Sequence, residues 1–135
     1  HGLCLNNKDE VLICREPGEK LWKLPGGRPE KDETPIKTLR REFMEEVNVS
    51  LKNIKPLGAQ RVDFLHNPKK SEGDLFYQLR YLCRLKKFFS QKPDPDTGLL
   101  YFRKFVPLNK LNNYLKWGSI GEAIIKRSLE IKSKI

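Results

Sequence analysis

Glu42, Glu45 and Glu46 crowd three carboxylates into five consecutive residues, and a glycine pair, Gly26-Gly27, lies upstream behind the strand-like Leu21-Trp22-Lys23-Leu24-Pro25. On a helix, like charges four residues apart, such as Glu42 and Glu46, cost about 0.2–0.5 kcal/mol. A cation among them would reverse that sign, and hard carboxylate oxygens suit Mg²⁺ or Mn²⁺. At about 100° per residue the three glutamates share one arc, next to an apolar stripe of Ile36, Leu39, Phe43 and Val47. The stripe can bury against a sheet while the carboxylates converge at its edge and face a cleft. Taken alone, the run also fits a solvated acidic face on a surface helix.

The wider spacing carries more. Gly27 is followed after five residues by Glu33 and after seven more by Arg41-Glu42-Phe43-Met44-Glu45-Glu46, with Val49 closing the run. This pattern resembles the box of the Nudix hydrolases, GX5EX7REUXEEXGU with U aliphatic. Leu24-Pro25-Gly26 and Thr34-Pro35 are similar to the family as well. Phe43 stands where a smaller aliphatic residue is usual, and Asn48 replaces the last glycine. Asn is the non-glycine residue that best tolerates the left-handed conformation closing a helix. Every charged position of the box is intact.

The resemblance implies an α/β fold, an α/β/α sandwich around a mixed β-sheet. It also implies a Mg²⁺- or Mn²⁺-dependent pyrophosphohydrolase that cleaves a diphosphate bond in a nucleoside di- or triphosphate derivative. In that reading Glu42, Glu45 and Glu46 hold the metal, with the Gly26 carbonyl as a further ligand. Glu33 pairs with Arg41 to hold the glycine loop against the helix. Arg15, Lys23 and Arg28 surround the box and are candidates to neutralise substrate phosphates. Carboxylates committed to cations are poor bases, so the general base is expected on a late loop. Between Asp74 and Glu122 the only acids are Asp94 and Asp96, and Asp96, nearer the next strand, is the first choice. Asp with Pro and Gly is also ordinary turn chemistry.

Two other readings stay open: a non-catalytic Nudix-fold module that senses a nucleotide or binds RNA, and an enzyme that decaps RNA 5′ ends. Such modules typically lose box glutamates, which are all present here. Members acting on ADP-ribose tend to carry a proline at a set distance beyond the box, and those acting on dinucleoside polyphosphates a tyrosine slightly later. Here that neighbourhood reads Phe64-Leu65-His66-Asn67-Pro68, and neither marker is in register. The partner expected is a nucleotide-type small molecule; RNA and a homodimer are compatible, and a membrane is not.

The net charge is +10, and nine of the 27 Lys/Arg but ten of the 17 Asp/Glu lie in residues 1–49. The basic field therefore belongs to residues 50–135, and it attracts polyphosphates or nucleic acid. Lysine bias and solubility explain it equally. With 135 residues, 38% hydrophobic and 33% charged, the chain is globular and of single-domain length. No apolar run approaches the ~20 residues that span a membrane. There is no signal-peptide pattern; the chain opens at His1 rather than Met, and we expect native residues ahead of it. Cys4, Cys14 and Cys83 are odd in number and lie in apolar runs, which indicates buried reduced thiols of a cytoplasmic protein rather than a disulfide or zinc framework. His1 and His66 are isolated and given no role.

The elements that must position the box follow from pattern. Residues 2–5 and 10–15 read as strands around an Asn6-Asn7-Lys8-Asp9 turn. Thr34 as N-cap and Pro35 at the first helical position predict a helix over 35–47. A long, bent strand follows over 51–66, then a turn-rich stretch to residue 74. Residues 75–86 alternate; Phe76, Gln78, Arg80, Leu82 and Arg84 share a face that either lines a cleft or is solvated. A Pro/Asp loop over 90–98, a strand over 100–106 and a short helix over 108–115 come next. Ser119 with Glu122 predicts a capping box for a last helix to about residue 133, with Ile124, Ile131 and Ile135 at helical spacing.

Overall fold

The computed structural model describes residues 1–63 and 75–135, with side chains for 1–59 and 78–135. The end of the expected strand at 64–66, the turn-rich stretch 67–74, His66 and the 64–68 neighbourhood lie outside the described residues. Within them the element order is β1 (Gly2–Leu5), β2 (Glu10–Arg15), α1 (Pro35–Val47), β3 (Val49–Asp63), β4 (Leu75–Phe88), β5 (Phe102–Pro107), α2 (Leu111–Leu115) and α3 (Gly118–Ile131). Short 3₁₀ turns precede α2 and follow α3.

The strands form one sheet in the order β3-β4-β1-β2-β5. β1 and β4 run parallel and the other neighbours antiparallel, so the sheet is mixed. Period-two alternation sends each strand's residues into two cores. Leu3, Leu5, Val11, Ile13 and Leu82 enter the one shared with α2 and α3. Cys4, Leu12, Cys14 and Cys83 enter the one shared with Leu39, Phe43 and Val47 of α1. This is the α/β/α sandwich expected. All three cysteines are buried and free.

Local sequence explains the joints. Asn6 Oδ1 accepts from the Lys8 and Glu10 amides at 3.0 Å each, closing the β1–β2 turn in which Asp9 takes φ 56°. Thr34 caps α1 by accepting from the Lys37 amide at 3.3 Å, with Pro35 opening the helix. β3 is bent by three register irregularities against β4, as a long twisted edge requires.

Four expectations need correction. Ile36 is exposed, so the buried stripe of α1 consists of Leu39, Phe43 and Val47. β3 starts at Val49, directly behind the helix, because Asn48 turns the chain in one residue. β5 starts at Phe102 rather than residue 100. The Ser119–Glu122 box does not form: Trp117 sits at the N-cap with no side-chain cap, and Glu122 instead accepts from Asn112 Nδ2 at 3.2 Å.

Candidate active site

Gly26 and Glu46 are the innermost pair. Gly26, at φ +152°, donates its amide to Glu46 Oε1 at 2.9 Å. A Cβ on Gly26 would lie 2.5 Å from the His1 backbone, so only glycine passes here. A Cβ on Gly27 would stand 2.6 Å from the Glu42 carboxylate, which would have to swing aside. The glycine loop therefore lies directly on Glu42 and Glu46, and a side chain on Gly27 would push Glu42 away from Arg41. Glu46 is only 3% exposed. Its other oxygen pairs with Lys23 Nζ at 3.1 Å. Burial pushes the Glu46 carboxyl up to about 7, against the opposing pull of Lys23 and the Gly26 amide.

Arg41 fastens the loop from the other side. Its Nε and Nη2 bind both oxygens of Glu33 at 2.8 and 3.0 Å, a bidentate pair. Nη1 reaches Glu42 at 2.8 Å and Glu45 at 3.1 Å, and Nη2 also donates to the Arg28 carbonyl at 3.0 Å. Thr38 Oγ1 donates to Glu33 at 2.7 Å. Arg41, then Thr38 and the Glu30 amide, draw the Glu33 carboxyl well below its usual range, to about 2. Arg41→Ala removes no carboxylate but frees the loop. It is expected to weaken Mn²⁺ affinity by about 10- to 100-fold, the usual cost of losing a residue that orients ligands. A Mn²⁺ titration followed by electron paramagnetic resonance checks this, and an unchanged dissociation constant would show the network to be incidental.

Glu45 looks toward a different segment. Its carboxylate and those of Asp94 and Asp96 each place an oxygen within 4.8 Å of the others. Burial raises the Glu45 carboxyl, and Asp96, Glu42 and Asp94 add to that against Arg41. Asp94 is buried and shapes the turn: its side chain accepts from the Asp96 amide at 2.8 Å, and its carbonyl from Gly98 at 2.7 Å. Asp96 is exposed. The turn-shaping role thus falls to Asp94, and Asp96 is left facing Glu45.

Asn48 explains how that loop is held. It adopts the left-handed conformation (φ 54°, ψ 50°) and its amide nitrogens donate to Met44 O. Its Oδ1 accepts from the Lys92 amide at 2.9 Å and its carbonyl from Phe89 at 3.0 Å. A glycine would make the turn but could not grip Lys92, so the departure from the family pattern adds a clamp. Asn48→Gly is expected to keep the fold, costing about 0.5–1.5 kcal/mol for the lost bond, while lowering kcat as the Asp96 loop loosens. Melting curves with steady-state kinetics check it; wild-type kcat would show that the loop needs no clamp.

The phosphate candidates separate. Lys23 is brought to Glu46, and also lies 3.8 Å from Glu16. Tyr101 donates its hydroxyl to Glu16 at 2.7 Å, a contact that nothing in the sequence flagged. Arg28 contributes its carbonyl to Arg41 while its side chain is exposed. Arg15 points to the opposite sheet face, between Trp22 (5.2 Å) and Phe102 (4.7 Å). Lys104 lies in the same way between Trp22 (4.4 Å) and Tyr114 (4.5 Å). The result is a ladder of alternating cations and rings.

The donor set suits a hard divalent cation. Glu42 and Glu46 lie under the glycine loop, Glu45 meets Asp94 and Asp96, and burial raises Glu45 and Glu46, so the donors on offer are carboxylate oxygens.

Comparison with known proteins identifies the family. The family model described as NUDIX domain matches residues 2–127. An RNA pyrophosphohydrolase of Halorhodospira halophila is 41% identical over 61 residues, covering 44% of this chain and 34% of the relative. The match thus spans about a third of that relative's length. An 8-oxo-dGTP diphosphatase of Buchnera aphidicola is 28% identical over 130 residues, covering 95% of this chain and 97% of the relative. Among solved structures, a NUDIX hydrolase from Nitrosomonas europaea superposes with TM-score 0.70 at 16% identity, covering 96% of this chain and 86% of that one, which speaks for the fold.

Proposed function

This chain belongs to the NUDIX domain family, and from that premise we propose that it is a Mg²⁺- or Mn²⁺-dependent pyrophosphohydrolase acting on a nucleoside di- or triphosphate derivative. The observation that carries the reading is the glycine loop seated on Glu42 and Glu46 and tied down by Arg41. Glu42, Glu45 and Glu46, with the Gly26 carbonyl, would hold the cation. When bound, it supplies charge screening between neighbouring phosphoryl groups and stabilisation of the leaving oxygen. Glu33 and Arg41 keep the ligands in register, Lys23 orients Glu46, and Asp96 beside Glu45 accepts the proton of the attacking water. Arg28, exposed on the glycine loop, is a cation that incoming phosphates would meet. The three free buried thiols favour a reducing, cytoplasmic setting. Among the described residues no helix is long and apolar enough to cross a membrane.

RNA 5′ ends are a second reading, favoured by the ladder of Phe102, Arg15, Trp22, Lys104 and Tyr114, since bases stack on such surfaces. The deciding experiment is a panel of nucleoside triphosphates, ADP-ribose, dinucleoside polyphosphates, and triphosphorylated and capped RNA, assayed with Mg²⁺, Mn²⁺ and EDTA. Anhydride cleavage that vanishes in EDTA is expected. Full activity in EDTA, or nucleotide binding with no cleavage of any substrate, would overturn the proposal.

A further inference from the structure

Lys23 holds the innermost carboxylate of the site, and part of what holds Lys23 comes from far along the sequence. Its backbone exchanges two hydrogen bonds with Cys14, at 2.8 and 2.9 Å. Cys14 belongs to the core under α1, and residues directly opposite each other share a face, so Lys23 also points toward α1. The tip of the side chain is harder to fix. An ammonium on a flexible four-carbon stem loses freedom when it is held at one point, and a partly exposed ion pair offsets little of that. The Lys23 side chain is 40% exposed, yet its Nζ stands 3.1 Å from Glu46 Oε2.

Glu16 and Tyr101 supply the missing support. Glu16, the residue after β2, brings Oε1 to 3.8 Å from Lys23 Nζ. The Tyr101 ring lies 5.4 Å from the same nitrogen. The Tyr101 hydroxyl, from 85 residues away, donates at 2.7 Å to the same Glu16 oxygen that faces Lys23. Tyr101 is itself well anchored. It is buried in the core under α1, and its backbone carbonyl accepts from Gln91 Nε2 at 2.6 Å. Burial, then the bond to Glu16, push its phenol well up, so it stays a donor.

We propose, building on the pyrophosphohydrolase reading, that Tyr101 and Glu16 are positioning residues of the cation site and act on Glu46 through Lys23. The relay runs from the Tyr101 hydroxyl to Glu16, from Glu16 to the Lys23 ammonium, and from Lys23 to Glu46 Oε2. The Gly26 amide takes the other oxygen of Glu46 at 2.9 Å. A carboxylate offers about four acceptor positions. One donor on each oxygen therefore fixes its plane and leaves lone pairs for a cation. Residues that orient a ligand without touching the metal commonly tune metal sites in this way. Without Glu16 and the hydroxyl that seats it, the ammonium can leave Glu46 for solvent, and the carboxylate is held from one side only.

Mn²⁺ titrations followed by electron paramagnetic resonance, without substrate, test the relay in Tyr101→Phe, Glu16→Gln and Lys23→Met, and in each of the first two combined with Lys23→Met. Tyr101→Phe keeps the ring and every charge and removes only the hydroxyl. It is expected to weaken Mn²⁺ binding about 2- to 10-fold, the worth of one hydrogen bond. Glu16→Gln should weaken it at least as much, and it keeps the test open should Tyr101→Phe not fold. Both effects should vanish where Lys23 is already replaced, because the link to Glu46 is then gone. Such non-additivity marks residues that act through one another. A merely structural Tyr101 would lower Tm and leave Mn²⁺ affinity unchanged. A Glu16 acting by its charge alone would weaken Mn²⁺ binding equally with and without Lys23. Either result would overturn the inference while leaving the pyrophosphohydrolase reading intact. A wild-type protein that binds no Mn²⁺ would overturn that reading itself, and the relay with it.

Discussion

Glu46→Gln is expected to lower turnover by orders of magnitude while leaving the metal-free protein at least as stable as wild type at pH 8. The two effects have one cause. Glu46 is buried, and burial raises its carboxyl from 4.5 to about 7 against the pull of Lys23 and the Gly26 amide. A carboxyl raised in the folded state contributes stability that is complete below about pH 4.5 and is lost as pH rises through 7. Over that interval the loss amounts to roughly 3 kcal/mol, at 1.36 kcal/mol for each unit. Glutamine stays neutral throughout, and its carbonyl can still accept from the Gly26 amide. The difference in Tm between variant and wild type, measured in EDTA, should therefore move in the variant's favour from pH 5 to pH 8. Saturating Mg²⁺ should reverse the order, raising the wild-type Tm alone. Near-normal kcat in Glu46→Gln, or an equal Mg²⁺-induced shift in both proteins, would sink the cation assignment.

What the sequence showed of this site was its covalent order rather than its third dimension. The spacing from Gly27 to Glu46 is a local pattern on one loop and one helix, and α1 runs over Pro35–Val47 with Thr34 as its cap, as the residues demand. The alternation of β4 was legible for the same reason, since it is a property of that strand alone: Leu82 enters one core and Cys83 the other. Contacts across long separations were not. Arg15 and Lys23 read as equivalent cations near the box, yet strand alternation sends Lys23 to Glu46 and Arg15 to the other face of the sheet. Asn48 read as a tolerated substitute for glycine; its grip on Lys92 depends on where β4 delivers the chain. Arg80 read as one polar residue on an alternating strand. Only the packing of Trp117 and α3 over it reveals a buried cation. The Ser119–Glu122 pair failed in the opposite direction: a valid local signal lost to tertiary context, because Asn112 claims Glu122.

Asp96→Asn is the second large effect expected. The fold brings Asp94 and Asp96 together beside Glu45, so two roles compete for the pair: a base for the attacking water, or additional ligands for the cation. Asp94 is already occupied, buried and bonded to the backbone of its own turn. Asp96 is exposed and its carboxylate is free to meet a water. As general base it should contribute about 10²–10⁴-fold, so Asp96→Asn should lower kcat by that factor with Mn²⁺ affinity little changed. Asp94→Asn should act through the loop instead, lowering Tm along with activity. A fall in Mn²⁺ affinity in Asp96→Asn that matches the fall in kcat would make Asp96 a ligand. If Asp94→Asn and Asp96→Asn both keep wild-type kcat across the pH profile, the base is Glu42 or another residue of the box, and the proximity of this loop to Glu45 has only an electrostatic consequence.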